Sequence, residues 1–159
     1  MSRKTDSNNP ADWLFIARED LEGIQSLVAG EIAYSMCRSK LAEVLEKIVK
    51  AELIRLGWPL VKTHDLLVLG TTLAEKNSDL VPLIQPLCTG LAEAKFTDRY
   101  PGFDLDDSDW PKLRGQLQRV MELLAKVQAR LPAKSGPEDR RQEPRGRGRR
   151  CVSNQSVRC

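Results

Sequence analysis

Apolar residues recur at steps of three and four through most of residues 10–131, the period of helices buried along one face. Asn9-Pro10 supplies a side-chain cap and then a first-turn proline, and Leu14, Ala17, Leu21, Ile24 and Val28 follow at helical spacing up to Gly30. A second helix is expected from Glu31 to Leu56 on Tyr34, Cys37, Leu41, Val44, Ile48 and Ala51, with Leu45 and Leu53 widening the stripe. Such width suits a helix of roughly 39 Å packed on more than one neighbour. Gly57 and Pro59 end it. Thr63 is read as the cap of a third helix, with Asp65 near its positive end and Leu66, Leu67 and Leu69 facing inward to about Asn77.

A fourth helix over roughly 79–97 is interrupted by Pro82, Pro86 and Gly90, so it either starts late or bends at Pro86, and Arg99-Tyr100-Pro101-Gly102 terminates it. The fifth is the most regular: Ser108 or Asp109 caps it, Pro111 occupies its first turn, and Trp110, Leu113, Leu117, Val120, Leu124, Val127 and Leu131 form an unbroken seam. No segment alternates with period two between turn signals. The expected fold is an all-α, up-and-down four- or five-helix bundle over residues 10–131, after a flexible segment 1–9.

Charge changes this picture at one end. The net charge of the 159 residues is +3, yet residues 133–159 hold eight Lys or Arg against three acids, a surplus of +5, leaving −2 for the remainder. This Pro- and Gly-containing tail has too little apolar surface to offset chain entropy, so disorder is expected over 132–159. Its run Arg145, Arg147, Arg149 and Arg150 is either a solubilising extension or an arm that grips nucleic-acid phosphates without sequence preference.

Composition removes several chemistries. A single histidine and four dispersed cysteines do not supply a zinc ligand set, so no metal is expected. The cysteines read as thiols in a reducing compartment. The acidic run Asp104, Asp106, Asp107 and Asp109 lacks the glycine and terminal glutamate of a calcium loop and reads as helix-start stabilisation. No glycine-rich phosphate cradle occurs, and no cofactor is expected. There is no run of 18 apolar residues and no apolar stretch behind the opening MSRKTDSNNPADW, so no membrane contact is expected and the expected address is the cytoplasm. Trp13, Trp58 and Trp110, near helix ends, read as closing the edge of the core, though such rings also anchor interfaces.

The order DWL-x2-A-x2-DL over 12–21, LEKIVKAELIRLG over 45–57, THDLLVL over 63–69 and DRYPG over 98–102 resembles the HEPN domain family across about residues 11–131. The resemblance implies a helical bundle that forms homodimers through long helices and often accompanies a minimal nucleotidyltransferase. In other branches it implies a metal-independent ribonuclease, often the toxin of a toxin–antitoxin pair. Those branches carry Arg followed by His after four to six residues. A neutral imidazole there accepts the 2′-hydroxyl proton and a guanidinium holds the phosphate. Here His64 follows Arg55 with eight residues between, and no histidine follows Arg99-Tyr100.

The candidate ligand-binding residues are therefore Lys47, Lys50, His64, Asp65, Arg99 and Tyr100, with Arg145, Arg147, Arg149 and Arg150 as a nucleic-acid tail and no catalytic residue assigned. Glu46 is expected to pair with Lys50 on a solvated face, leaving Lys47 as the freer cation. His64 either contacts a ligand or simply fixes the start of the third helix. Arg99 at a helix C-terminus is explained by the dipole alone or by binding. The leading expectation is a non-catalytic, homodimeric module that partners a minimal nucleotidyltransferase, binds nucleotide or RNA, or does both, with a toxin–antitoxin pair as one setting. The alternatives are an atypical ribonuclease using His64, Arg99 and Tyr100, and a structural adaptor bundle.

Overall fold

The computed structural model describes residues 7–94 and 108–132. The chain forms α1 (Pro10–Ala29), α2 (Tyr34–Arg55), α3 (Leu66–Glu75), α4 (Val81–Leu91) and α5 (Trp110–Arg130), with no strand among the described residues. The all-α bundle read from the periodicity is the fold. The N-terminal segment 1–6, the expected end of the fourth helix at Arg99–Gly102 and the basic tail from 133 onward lie outside the described residues.

α2 is the axis of the bundle and packs against α1, α3, α4 and α5. Its neighbours on several sides explain why Cys37, Leu41, Ala42, Val44, Leu45, Ile48, Val49, Ala51 and Leu53 are all buried. The residues singled out on α1 (Leu14, Ala17, Leu21, Ile24 and Val28) are its buried set. Asn9 caps that helix by accepting from the Ala11 amide at 3.1 Å.

Four local readings need correction. α2 begins at Tyr34 rather than Glu31, because Glu31 and Ala33 adopt left-handed backbone angles (φ 54° and 55°) that no helix can contain. The turn they make brings Tyr34 edge-on to Trp110, 5.1 Å between ring centroids. The cap of α3 is Asp65, not Thr63: its carboxylate accepts from the Leu67 and Val68 amides at 2.8 and 3.3 Å. Thr63 in turn accepts from the Asp65 amide at 3.3 Å. Leu67 is 52% exposed, because the short α3 buries Leu66, Leu69, Gly70 and Leu73 and turns Leu67 to the opposite face. On α5, Leu123 is buried while Leu124 and Leu131 are only partly so, the seam shifting by one position where the helix faces α1 as well as α2.

α4 starts late, at Val81, with Pro82 in its first turn. Pro86 is inside the helix on an exposed position, where the amide it lacks leaves a carbonyl that water can satisfy. The cap of α5 is Asp109, which accepts from the Lys112 amide at 3.0 Å. Cys37 and Cys88 are buried, unbridged thiols. Burial raises both, Cys88 to about 12, so both stay protonated at neutral pH.

Candidate functional site

Two groups of charged side chains are drawn into the bundle by α2. The first lies at its middle. Glu46 and Lys50 are one helical turn apart and pair at 2.8 Å, as the spacing predicts, but the face is not solvated: the Lys50 side chain is 4% exposed. Its ammonium sits 5.2 Å from the centroid of the Trp13 ring, and the Trp13 indole N–H donates to the Ser7 carbonyl at 2.7 Å. Trp13 thus closes the edge of the core by covering a cation.

His64 reaches the same carboxylate. Its Nδ1 is 2.8 Å from Glu46 Oε1, the oxygen that also receives Lys50, and its side chain is 74% exposed. The loop before α3 therefore does more than start a helix, since it carries an imidazole to the solvent end of a buried ion pair. Asp65, the next residue, is engaged in capping α3.

Lys47 is not the freer cation expected. It lies across the α1–α2 contact with Nζ 2.5 Å from Asp20 Oδ2, and Lys40 is 3.4 Å from the same oxygen. The α2 face toward α1 is not solvent, because α1 brings its own acid, Asp20, there. The structure therefore brings Lys50 and His64 together through Glu46, places Lys47 on a separate contact and uses Asp65 for the cap. Arg99, Tyr100, Arg145, Arg147, Arg149 and Arg150 lie outside the described residues.

The second group was not anticipated. Glu52 has a side chain with no exposed surface, and Arg55 forks onto it with two 2.8 Å hydrogen bonds. Arg130, at the end of α5, donates to Glu52 at 3.0 Å and to both oxygens of Asp79 at 2.7 and 2.6 Å. Ser78 completes the set, donating to Glu52 at 3.2 Å. The network ties α2, the α3–α4 loop and α5, and its hydrogen bonds hold the Arg55 and Arg130 guanidiniums above their ordinary values. The available hint was Glu52 lying between Ala51 and Leu53 in the widened stripe.

Hydrogen bonds from Arg130 hold the Asp79 carboxyl below its ordinary value. A depressed value in the folded state adds stability above the unfolded value of about 4, and that stability is lost as pH falls through the folded value. Asp79→Asn is therefore expected to be less stable than the parent at neutral pH, with the difference closing in acid. Urea midpoints measured from about pH 6 to pH 3 check this, because a constant gap means that no protonation is involved.

An all-α bundle, with five helices among the described residues and charge threaded through α2, is the class of protein these observations define. The family is equally plain: the HEPN domain family model matches residues 10–128, and the chain belongs to that family. No curated protein and no solved structure gives a significant match to the chain. Membership places the protein among nucleotide- or RNA-related modules. Among the described residues no group of His, Cys, Asp and Glu could hold a metal ion, and no helix is long and apolar enough to cross a membrane.

Proposed function

We propose that this protein is a non-catalytic HEPN binding module that takes a nucleotide or RNA at the His64 end of the Glu46–Lys50 pair, as a homodimer beside a minimal nucleotidyltransferase. One observation carries the reading. His64 and the nearest preceding arginine, Arg55, belong to different ion networks, His64 on Glu46 and Arg55 on buried Glu52. Between them α2 ends and Gly57 turns the chain at φ +82°. An imidazole and a guanidinium held on separate carboxylates do not converge on one phosphate, which is what ribonuclease chemistry asks of such a pair.

Within this reading, Trp13, Glu46 and Lys50 are the framework and His64 is the contact. The arginines Arg145, Arg147, Arg149 and Arg150 add a salt-sensitive grip on RNA without sequence preference. A minimal nucleotidyltransferase partner and the homodimer follow from the family resemblance, and sedimentation and co-purification test them. A toxin–antitoxin setting belongs to the same proposal.

The contact between a carboxylate and an exposed imidazole favours a second reading, an atypical ribonuclease in which His64 acts with Arg99 and Tyr100. The two readings separate in one assay. Purified protein incubated with labelled RNA and a chelator is expected to leave the RNA intact while retarding it in a gel. Replacing Arg145, Arg147, Arg149 and Arg150 by glutamine is expected to flatten the salt dependence of that retardation. Cleavage abolished by His64→Ala overturns the non-catalytic reading, and a lack of any RNA or nucleotide binding reduces the protein to an adaptor bundle.

A further inference from the structure

The Lys50–Glu46–His64 chain determines which nitrogen of the imidazole carries the proton. Lys50 is almost wholly buried and its nearest charge is Glu46, at 2.8 Å. A buried ammonium is tolerated only with a countercharge, so the Glu46 carboxyl is ionised while Lys50 is charged. An ionised carboxylate has acceptors and no proton to give. The 2.8 Å contact between Glu46 Oε1 and His64 Nδ1 must then be a hydrogen bond donated by Nδ1–H. In the neutral imidazole the other nitrogen, Nε2, is left as a lone pair.

We infer that Glu46 is a positioning residue that holds His64 in the Nδ1–H form and turns Nε2 outward as a hydrogen-bond acceptor. The ligand group that fits this atom is a donor, a hydroxyl or amino group of a nucleoside, rather than a phosphate oxygen. The inference rests on the nucleotide-binding reading above for its ligand, but not for the tautomer. It reverses the simplest expectation for a histidine in a nucleotide site, which is a cationic contact to phosphate. Any neighbour that meets the outer nitrogen, protein or ligand, meets the same lone pair. The His64 side chain as a whole is 74% exposed.

The chain has one histidine, so its ring nitrogens give a single, unambiguous set of resonances. Long-range nitrogen–proton correlation spectra of the full chain, recorded above the pH at which the imidazole titrates, are expected to show a protonated Nδ1 and an unprotonated Nε2. Exposed histidines prefer the opposite form, and finding that form here overturns the inference without any variant. Glu46→Gln preserves size but gives His64 a neighbour that can turn either face toward it, so the two tautomers are expected to mix. An unchanged Nδ1–H population in Glu46→Gln also overturns the positioning role.

The ligand half is tested on the same sample with the four ribonucleosides and with inorganic phosphate. Nucleosides are expected to move the Nε2 resonance and phosphate is not, and His64→Phe is expected to weaken nucleoside binding about tenfold, the scale of one hydrogen bond. A response to phosphate alone overturns the donor-group assignment. If neither probe binds while the Nδ1–H form is present, the nucleotide-binding reading fails and the role of Glu46 stands.

Discussion

Replacing Arg55 and Arg130 together by methionine is expected to lower the unfolding free energy by about 3–5 kcal/mol, a large share of the roughly 5–15 kcal/mol available to a domain. Glu52 has no exposed surface, and those two guanidiniums and the Ser78 hydroxyl are its partners among the described residues. Without them a carboxylate stays in the core with one hydroxyl donor. Each arginine is itself partly exposed, so either single substitution is expected to cost much less, the remaining guanidinium holding the charge. Adding Glu52→Leu to the double variant is expected to restore most of the loss, since the penalty lies in the unpaired charge and not in absent attraction. Urea denaturation of the parent and the four variants checks the series, and a double variant within about 1 kcal/mol of the parent would mean that water reaches Glu52.

Leu45→Ala is the second large effect, expected to cost about 2–5 kcal/mol by removing a fully buried side chain from the helix that every other described helix touches. Leu67→Ala, the same chemical change on α3, is expected to stay within about 0.5 kcal/mol because Leu67 stands in solvent. Thermal unfolding of the pair measures the contrast. A comparable loss from Leu67→Ala would show that this exposed leucine, with its exposed neighbour Val68, is covered in solution, as it would be in an oligomer.

The candidate site was legible in its parts and not in its connections. The i, i+4 spacing of Glu46 and Lys50 foretold their pairing, and the single histidine marked itself. That the pair is buried depends on Trp13, which arrives from α1, and that His64 joins it depends on the path of the loop before α3. Lys47 was misread for the same reason in reverse, since its partner Asp20 is 27 positions away on another helix. Glu52 escaped notice because a charged residue beside leucines on a helix is ordinarily at the surface, and because its partner Arg130 is 78 positions distant.

Helical period, proline and glycine punctuation, and the buried stripes of α1 and most of α5 were set by the order of residues alone. These depend on contacts within a few positions and on one apolar face seeking any neighbour. The bounds of α2 and α3 and the side of the bundle on which Leu67 stands were decided by packing. So were the partners of four polar groups: Lys47, His64, Glu52 and Arg130. A charge in a low-dielectric interior is governed by whatever lies within a few ångströms, and that neighbourhood exists only once the helices have come together.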